Sequence, residues 1–356
     1  MPLDMLRGGW PAIATHVAPR TGQGLWLAQQ LTQHCGERLS SPQLTITVDV
    51  RSGSMTERQA AAITRDGNHI KISCHEWMLS ERPNDLHQRL IGVLTILTKA
   101  PLDRFQVVAD LSDGEDSGPG MVSFCSRDPA AFLVPDHGFI RTRGQQNHRR
   151  VARANMIAWT ERSDRIVWRG LTTGRGIISK PHLCEHDMEL LPRVQLCLAL
   201  KEVAGTDAKL SGVVQSPDKD VHVDRLKQAG ILGEYISPIA WNGLKFAVDI
   251  DGNTNAWSNL LTRLIMGCCV LKVASPLGYR QWYYGELERW THYVPVSADL
   301  SDLRDRIAWC RANTTECGRI AAQGQAFAMA HDYDPEVASA VRRLCAAHEA
   351  GTLRRR

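Results

Sequence analysis

Apolar and polar residues alternate from Leu44 to Val50, and the run ends at Arg51, Ser52 and Gly53. That is the pattern of a half-buried strand entering a turn. His69 to Ser73 predicts another short strand. Leu86, Leu90, Val93, Leu94 and Leu97 then recur at helical spacing behind Asn84 and Asp85, which predicts a capped amphipathic helix. Phe105 to Ala109 reads as a buried strand that delivers the chain into a polar loop, Asp110 to Gly114.

The second half repeats this style. Strands are expected at Arg165 to Trp168, Phe246 to Ile250, Cys268 to Val273 and His292 to Val296. Helices are expected near Trp257 to Met266, at Ser301 to Ala312 and at Thr314 to Ala330. Strands alternating with helices predict parallel sheets covered on both faces, with ligands at the carboxyl ends of strands. Three polar loops fall at such ends: Asp110 to Gly114, Arg169 to Gly176 and Asp251 to Ser258. With 356 residues the chain is long enough for two domains. We divide it into an acceptor-side domain over 1–160, a donor domain over 161–330 and a C-terminal helix and tail over 331–356.

Composition narrows the function classes. Hydrophobic residues are 43% and charged residues 22%, which is ordinary for a globular protein. A net charge of +4, with both signs mixed along the chain, argues against a nucleic-acid partner. The basic cluster from Arg141 to Arg153 and the terminal Arg354, Arg355 and Arg356 read as solvated surface, with peripheral contact to an anionic membrane as the other option. The ten cysteines form no Cys-x-x-Cys pair, so they read as free thiols in a reducing compartment. Asp4, Arg7 and Pro11 interrupt the N-terminus, so no signal peptide is expected. The apolar runs Leu90 to Leu97 and Leu264 to Leu271 are far short of the about 20 residues a membrane span needs. A cytoplasmic protein, soluble or peripheral at the membrane, is the expectation.

The chemistry-bearing residues lie in the three loops. A carboxylate at a strand end, such as Asp113, suits proton abstraction from a hydroxyl, although a turn aspartate has the same position. Asp110, Glu115, Asp116 and Asp136 compete for that role. In the second loop Gly170, Gly174 and Gly176 permit close backbone approach, Thr172 and Thr173 supply hydroxyls, and Arg169 and Arg175 suit phosphate. The third loop, Asp251-Gly252-Asn253-Thr254-Asn255-Ala256-Trp257-Ser258, is long enough to hold part of a nucleotide, and ordinary turn chemistry explains its composition equally well. Trp257 and the aromatic group Trp282, Tyr283, Tyr284, Trp290, His292 and Tyr293 are read as core. His182 and His186 lack the setting of a zinc site, and no metal is expected.

Three strings resemble glycosyltransferase family 90: Trp168-Arg169-Gly170-Leu171-Thr172-Thr173-Gly174, the stretch Lys245 to Asn253, and Gln281-Trp282-Tyr283-Tyr284 with Trp290-Thr291-His292-Tyr293-Val294-Pro295-Val296 through Asp299-Leu300-Ser301. The resemblance runs from Phe105 to Met329. It implies a GT-B fold, two Rossmann-like domains facing each other, and inverting sugar transfer without a bound metal. It further implies Asp113 as the base and Asp136 on the acceptor side. Donor binding falls to Arg169, Gly170, Thr172, Thr173, Gly174, Arg175, Asp251, Gly252, Asn253, Asn255, Trp257 and Ser258.

The expected reaction moves a sugar of the glucose or xylose class from a UDP-linked donor to a glycan or lipid-linked glycan, in lipopolysaccharide or capsule assembly, with no cofactor besides the donor. Three departures from the family pattern stand out. Ser258 or Asn259 occupies the place where animal members carry an arginine. Gln281 stands where many members have glutamate. The segment after Asp113 is shorter than in animal members, which implies a different acceptor. The alternative function is a non-catalytic nucleotide-sugar-binding protein.

Overall fold

The computed structural model describes residues 20–38, 44–52 and 58–355. The turn expected at Gly53, the N-terminal stretch with Asp4, Arg7 and Pro11, and Arg356 lie outside the described residues.

The first layer opens with helix α1 (Arg20–Arg38) and strands β1 (Thr45–Arg51), β2 (Ala60–Asp66) and β3 (His69–His75). Helices α2 (Glu76–Glu81) and α3 (Pro83–Leu97) follow, then strands β4 (Arg104–Asp110), β5 (Val122–Ser123), β6 (Cys125–Ser126) and β7 (Phe132–Leu133). The sheet order is β1-β3-β2-β4-β5-β7. Neighbours run parallel except β2, which is antiparallel to both β3 and β4. The expectation of a purely parallel sheet is corrected here. Gly67, at φ 57°, and Asn68 make a tight hairpin between β2 and β3. Helix α3 forms as expected: Pro83 starts it, Asp85 lies in its first turn, and Leu86, Leu90, Val93, Leu94 and Leu97 are buried.

Helices α4 (His137–Arg141) and α5 (Gln146–Ala154) lead into the second layer. That layer contains β8 (Ser163–Leu171), α6 (Pro192–Lys201), β9 (Thr206–Gly212), α7 (Lys219–Gln228), β10 (Leu244–Asp249), α8 (Ser258–Ile265), β11 (Cys269–Val273), β12 (Arg280–Gln281) and β13 (Val294–Val296). Helices α9 (Leu303–Ala312), α10 (Thr314–Ala330) and α11 (Tyr333–Glu349) close the chain. The second sheet has the order β13-β11-β10-β8-β9 and every pair in it is parallel. Its two faces pack separate cores. Ile166, Trp168, Phe246, Val248, Cys269 and Leu271 face one, while the alternating Val167, Ala247 and Val270 face the other. Alternation into two buried faces is why the centres of these strands, Ile166 to Trp168, Phe246 to Val248 and Cys269 to Leu271, are apolar at every position.

This is the two-sheet α/β arrangement expected of the GT-B type. Two connections tie the layers. Strand β6 pairs antiparallel with β12, matching Cys125 to Gln281. Helix α11, after leaving the second layer, packs Ala340 and Leu344 into the core of the first. No helix among the described residues is long and apolar enough to cross a membrane.

Candidate active site

The carboxyl ends of β8, β10, β11 and β13 surround a cavity of about 190 Å³. Arg175, Asp251, Gly252, Asn253, Thr254 and Tyr279 are among its walls. Strand β10 ends in Asp249, which is fully buried. Lys272 Nζ donates to one of its oxygens at 3.2 Å, and Asn259 Nδ2 to the other at 2.8 Å. Both oxygens are thus occupied. Asp251, two residues on, is in a different state. Its carboxylate oxygens are buried without a hydrogen-bond partner, and burial pushes its pKa up to about 6, against the pull of Lys272.

The loop after β8 meets the loop after β10 directly. Gly174 N–H donates to Asn253 Oδ1 at 3.0 Å. Gly174 and Gly176 have φ of 134° and 132°, a region side chains rarely adopt. Thr172 is buried and exchanges hydrogen bonds with Val214, so its hydroxyl is structural. Thr173 Oγ1 accepts from Arg193 Nη1 at 2.7 Å. Arg193, in the first turn of α6, also donates to the carbonyls of Asp251 (3.0 Å), Leu171 (3.1 Å) and Ile250 (3.3 Å). It therefore staples the two loops together. Arg175 is exposed at the cavity and carries no hydrogen bond or ion pair among the described residues.

Arg169 requires a correction. Strand β8 continues to Leu171, so Arg169 and Gly170 lie in the strand and not in the loop. Arg169 makes a bidentate contact with Asp207 at 2.9 Å to each oxygen, and donates to the carbonyls of Glu234 (3.0 Å), Trp168 (2.8 Å) and Asp207 (2.7 Å). All three guanidinium nitrogens are thus engaged within the protein. Gly170 is needed for packing instead: a Cβ there would stand 2.5 Å from the Trp168 ring.

The facing layer supplies the carboxylates. Asp110 is fully buried, accepts from Ser112 N (2.8 Å) and Ser123 Oγ (3.0 Å), and is pushed up to about 6 by burial. Asp136 caps α4, accepting from Phe139 N at 2.8 Å, and takes a second bond from Gln281 Nε2 at 3.2 Å. Burial pushes it up to about 6 as well. Both are enclosed groups, and Asp136, expected on the acceptor side, is 3% exposed.

Asp113 is less enclosed than either and meets the loop after β10: Thr254 Oγ1 donates to its carbonyl at 2.6 Å, and Asn253 Nδ2 to its carboxylate at 3.4 Å. The Arg89 guanidinium, from α3, pairs with the other carboxylate oxygen and bonds Ser112 O.

Trp257 completes the seam. Its backbone, at φ 49° and ψ −127°, is held by the Asn255 side chain, which accepts from Trp257 N–H. A bulky residue in that region is strained and is held only by firm surroundings. Its ring lies 5.6 Å from His137 and 5.5 Å from the Arg89 guanidinium, packed on the first core as expected of a core residue. His137 is driven down to about 3 by burial and then by Arg89, so it is neutral. Ser258 begins α8 and receives Thr262 Oγ1 on its carbonyl at 2.8 Å.

Sequence reasoning missed Arg89, Arg193, His137 and Thr254. Arg89 had a signal, as the one cation amid the buried run of α3. Arg193 had only its position after Pro192.

The model described as Glycosyl transferase family 90 matches residues 121–337. Uncharacterized protein 035R of Invertebrate iridescent virus 3 is 40% identical over 126 residues, which are 35% of this chain and 10% of that protein. Protein O-glucosyltransferase 3 of Rattus norvegicus is 33% identical over 135 residues, 37% of this chain and 24% of that one. The chain thus spans no more than about a quarter of these relatives. Among solved structures, Anabaena Alr3699/HepE in complex with UDP-glucose is 12% identical, with a TM-score of 0.34 over 59% of this chain and 53% of that one.

Proposed function

Because this chain belongs to glycosyl transferase family 90, we propose that it transfers a sugar from a nucleoside-diphosphate donor to an acceptor hydroxyl. The observation that carries the reading is the contact of Asp113 with Asn253 and Thr254. It sets a carboxylate of one layer against the cavity wall of the other.

The donor is a UDP-linked sugar of the glucose or xylose class, held at the carboxyl ends of β10, β11 and β13. Its diphosphate lies beside Arg175 and the backbone of Gly174 and Gly252, which suit phosphate by charge and close approach. Asp113 takes the proton from the acceptor hydroxyl. That oxygen forms a bond to the anomeric carbon while the bond to the diphosphate oxygen breaks, and the diphosphate leaves with the electron pair. Attack opposite the leaving group inverts the carbon. Base catalysis of this kind contributes about 10²–10⁴-fold. Arg89 fixes one carboxylate oxygen, and the other, held only by the long contact from Asn253 Nδ2, takes the acceptor's proton. We read the reaction as independent of metal or cofactor, since both oxygens of Asp249 are bonded to Lys272 and Asn259.

The acceptor is a glycan or lipid-linked glycan of lipopolysaccharide or capsule assembly, in the cytoplasm. Animal relatives are named protein O-glucosyltransferases, so a protein hydroxyl belongs in the test. The test is thermal shift with a panel of nucleotide sugars, followed by transfer assays with and without a chelator. UDP-glucose or UDP-xylose should raise the melting temperature by mass action and give transfer that survives the chelator. Transfer abolished by the chelator and restored by manganese would defeat the metal-free reading. The second reading, a non-catalytic binder, is favoured by the ion pair between Asp113 and Arg89, and any donor turnover by purified protein excludes it.

A further inference from the structure

A second concave surface lies between α5 and the start of α11. It is an open groove of about 850 Å³, lined by Arg143, Arg149, Arg150 and Arg153 on one side and by Asp332 to Pro335 on the other. The groove is a built feature. Arg149, only 2% exposed, donates to Met329 O (3.1 Å) and His331 O (2.7 Å), and to Gly144 O at its own side. Its guanidinium therefore ties the two walls together, and Asp332 sits 3.4 Å from it. Gly144, at φ 68°, sits where a Cβ would meet Tyr333 N at 2.7 Å, so the turn carrying Arg143 is pressed against the opposite wall. With Arg149 and Asp332 paired, three arginines, all exposed, face one acid, Asp334. At the end of α5 the chain then exposes two adjacent apolar side chains, Met156 at 79% and Ile157 at 36%.

We propose that this face docks on an anionic lipid surface, with headgroup phosphates against Arg143, Arg150 and Arg153 and with Met156 and Ile157 entering the interface. Arginine guanidinium pairs with phosphate in two-pronged geometry, and exposed apolar side chains two and three residues beyond Ala154, which lines the groove, suit a lipid surface better than a dissolved anion. The inference does not depend on sugar transfer, because none of these residues belongs to the donor cavity or contacts Asp113.

The test is co-sedimentation of the full chain with vesicles of phosphatidylcholine alone or with about 30% phosphatidylglycerol. Binding to the anionic vesicles only, weakening as salt rises, is expected. Each arginine near an anionic surface accounts for about five-fold in affinity, so the combined Arg143→Gln, Arg150→Gln, Arg153→Gln protein should bind on the order of 100-fold more weakly. Met156→Ser should weaken binding without changing its salt dependence. An unchanged melting temperature in the arginine variant shows that the fold survives. The proposal is overturned if wild type ignores anionic vesicles or if the arginine variant binds them as wild type does. It is equally overturned if inorganic phosphate displaces the protein at an ionic strength where sodium chloride does not, which would make the groove a site for a dissolved anion.

Discussion

The hydrogen bond from Thr254 to Asp113 offers the sharpest separation of catalysis from stability. Thr254 is 2% exposed, and its hydroxyl donates at 2.6 Å to the Asp113 carbonyl. Valine keeps the shape and removes the donor. It also takes away the acceptor that Asn255 Nδ2 reaches at 3.4 Å, a longer and weaker bond. A buried carbonyl stripped of its partner costs about 1–3 kcal/mol. If the bond only holds the layers together, that cost appears in unfolding free energy and the turnover number stays put. If it aligns Asp113 with the donor loop, part or all of the cost appears in the transition state. At about 1.4 kcal/mol per decade the range corresponds to a drop of about 5- to 150-fold in kcat. Steady-state transfer at saturating donor, beside urea unfolding of the same samples, separates the outcomes. Thr254→Ser, which keeps the hydroxyl, should retain most of the rate. A Thr254→Val protein that unfolds at lower urea yet turns over within about two-fold of wild type would refute the alignment argument.

Other outcomes follow from the same geometry. Arg169→Ala should lower stability by about 1–3 kcal/mol, because the carbonyls of Glu234, Trp168 and Asp207 lose a donor while Arg165 still pairs with the Asp207 carboxylate, and the folded fraction should keep its donor affinity in calorimetry; a ten-fold loss of affinity would restore Arg169 as a phosphate contact. Arg175→Ala should weaken nucleoside-diphosphate binding by about ten-fold or more, the worth of a charge-assisted hydrogen bond, with no change in melting temperature. Asp251 has its pKa raised by burial to about 6 from the ordinary aspartate value of 3.8, so the folded state holds a proton that the unfolded state has lost between those values. Its contribution therefore falls as pH rises through that window. Asp251→Asn should gain melting temperature relative to wild type from pH about 4 to about 6 and show a constant difference above; a difference independent of pH contradicts the burial argument.

Much of the second sheet was legible because its strands are buried on both faces. Phe246 to Ile250 and Cys268 to Val273 stand out as apolar runs interrupted only by Asp249 and Lys272. The helix at Leu86 to Leu97 was readable from spacing for the same reason. The β2–β3 hairpin was missed although Gly67-Asn68 signals it, because Ala60, Ala61 and Ala62 have weak strand character. The site was legible as loops and not as contacts. The local pattern around Arg169 matches that of an exposed loop arginine, and only the pairing of β8 with β9 brings Asp207 beneath it. Asp110, Asp113 and Asp136 were equal from position alone. Burial and partners separate them, since Asp113 is partly exposed beside the Asn253-Thr254 loop and the other two are enclosed. Arg89 and Arg193 act through bonds to residues far along the chain, which no window of sequence contains.

The central claim is that Asp113 removes the proton from the acceptor. The most direct measurement is transfer by Asp113→Asn, which keeps the size of the side chain and the carbonyl bond to Thr254 while removing the base. Donor affinity should stay near that of wild type and the melting temperature should fall as Arg89 loses its charged partner, while kcat of the folded protein falls by about 10²–10⁴-fold. Asp116→Asn, a change in the same loop, should transfer normally. Transfer by Asp113→Asn at close to the wild-type rate, with the donor bound as tightly, would contradict the account.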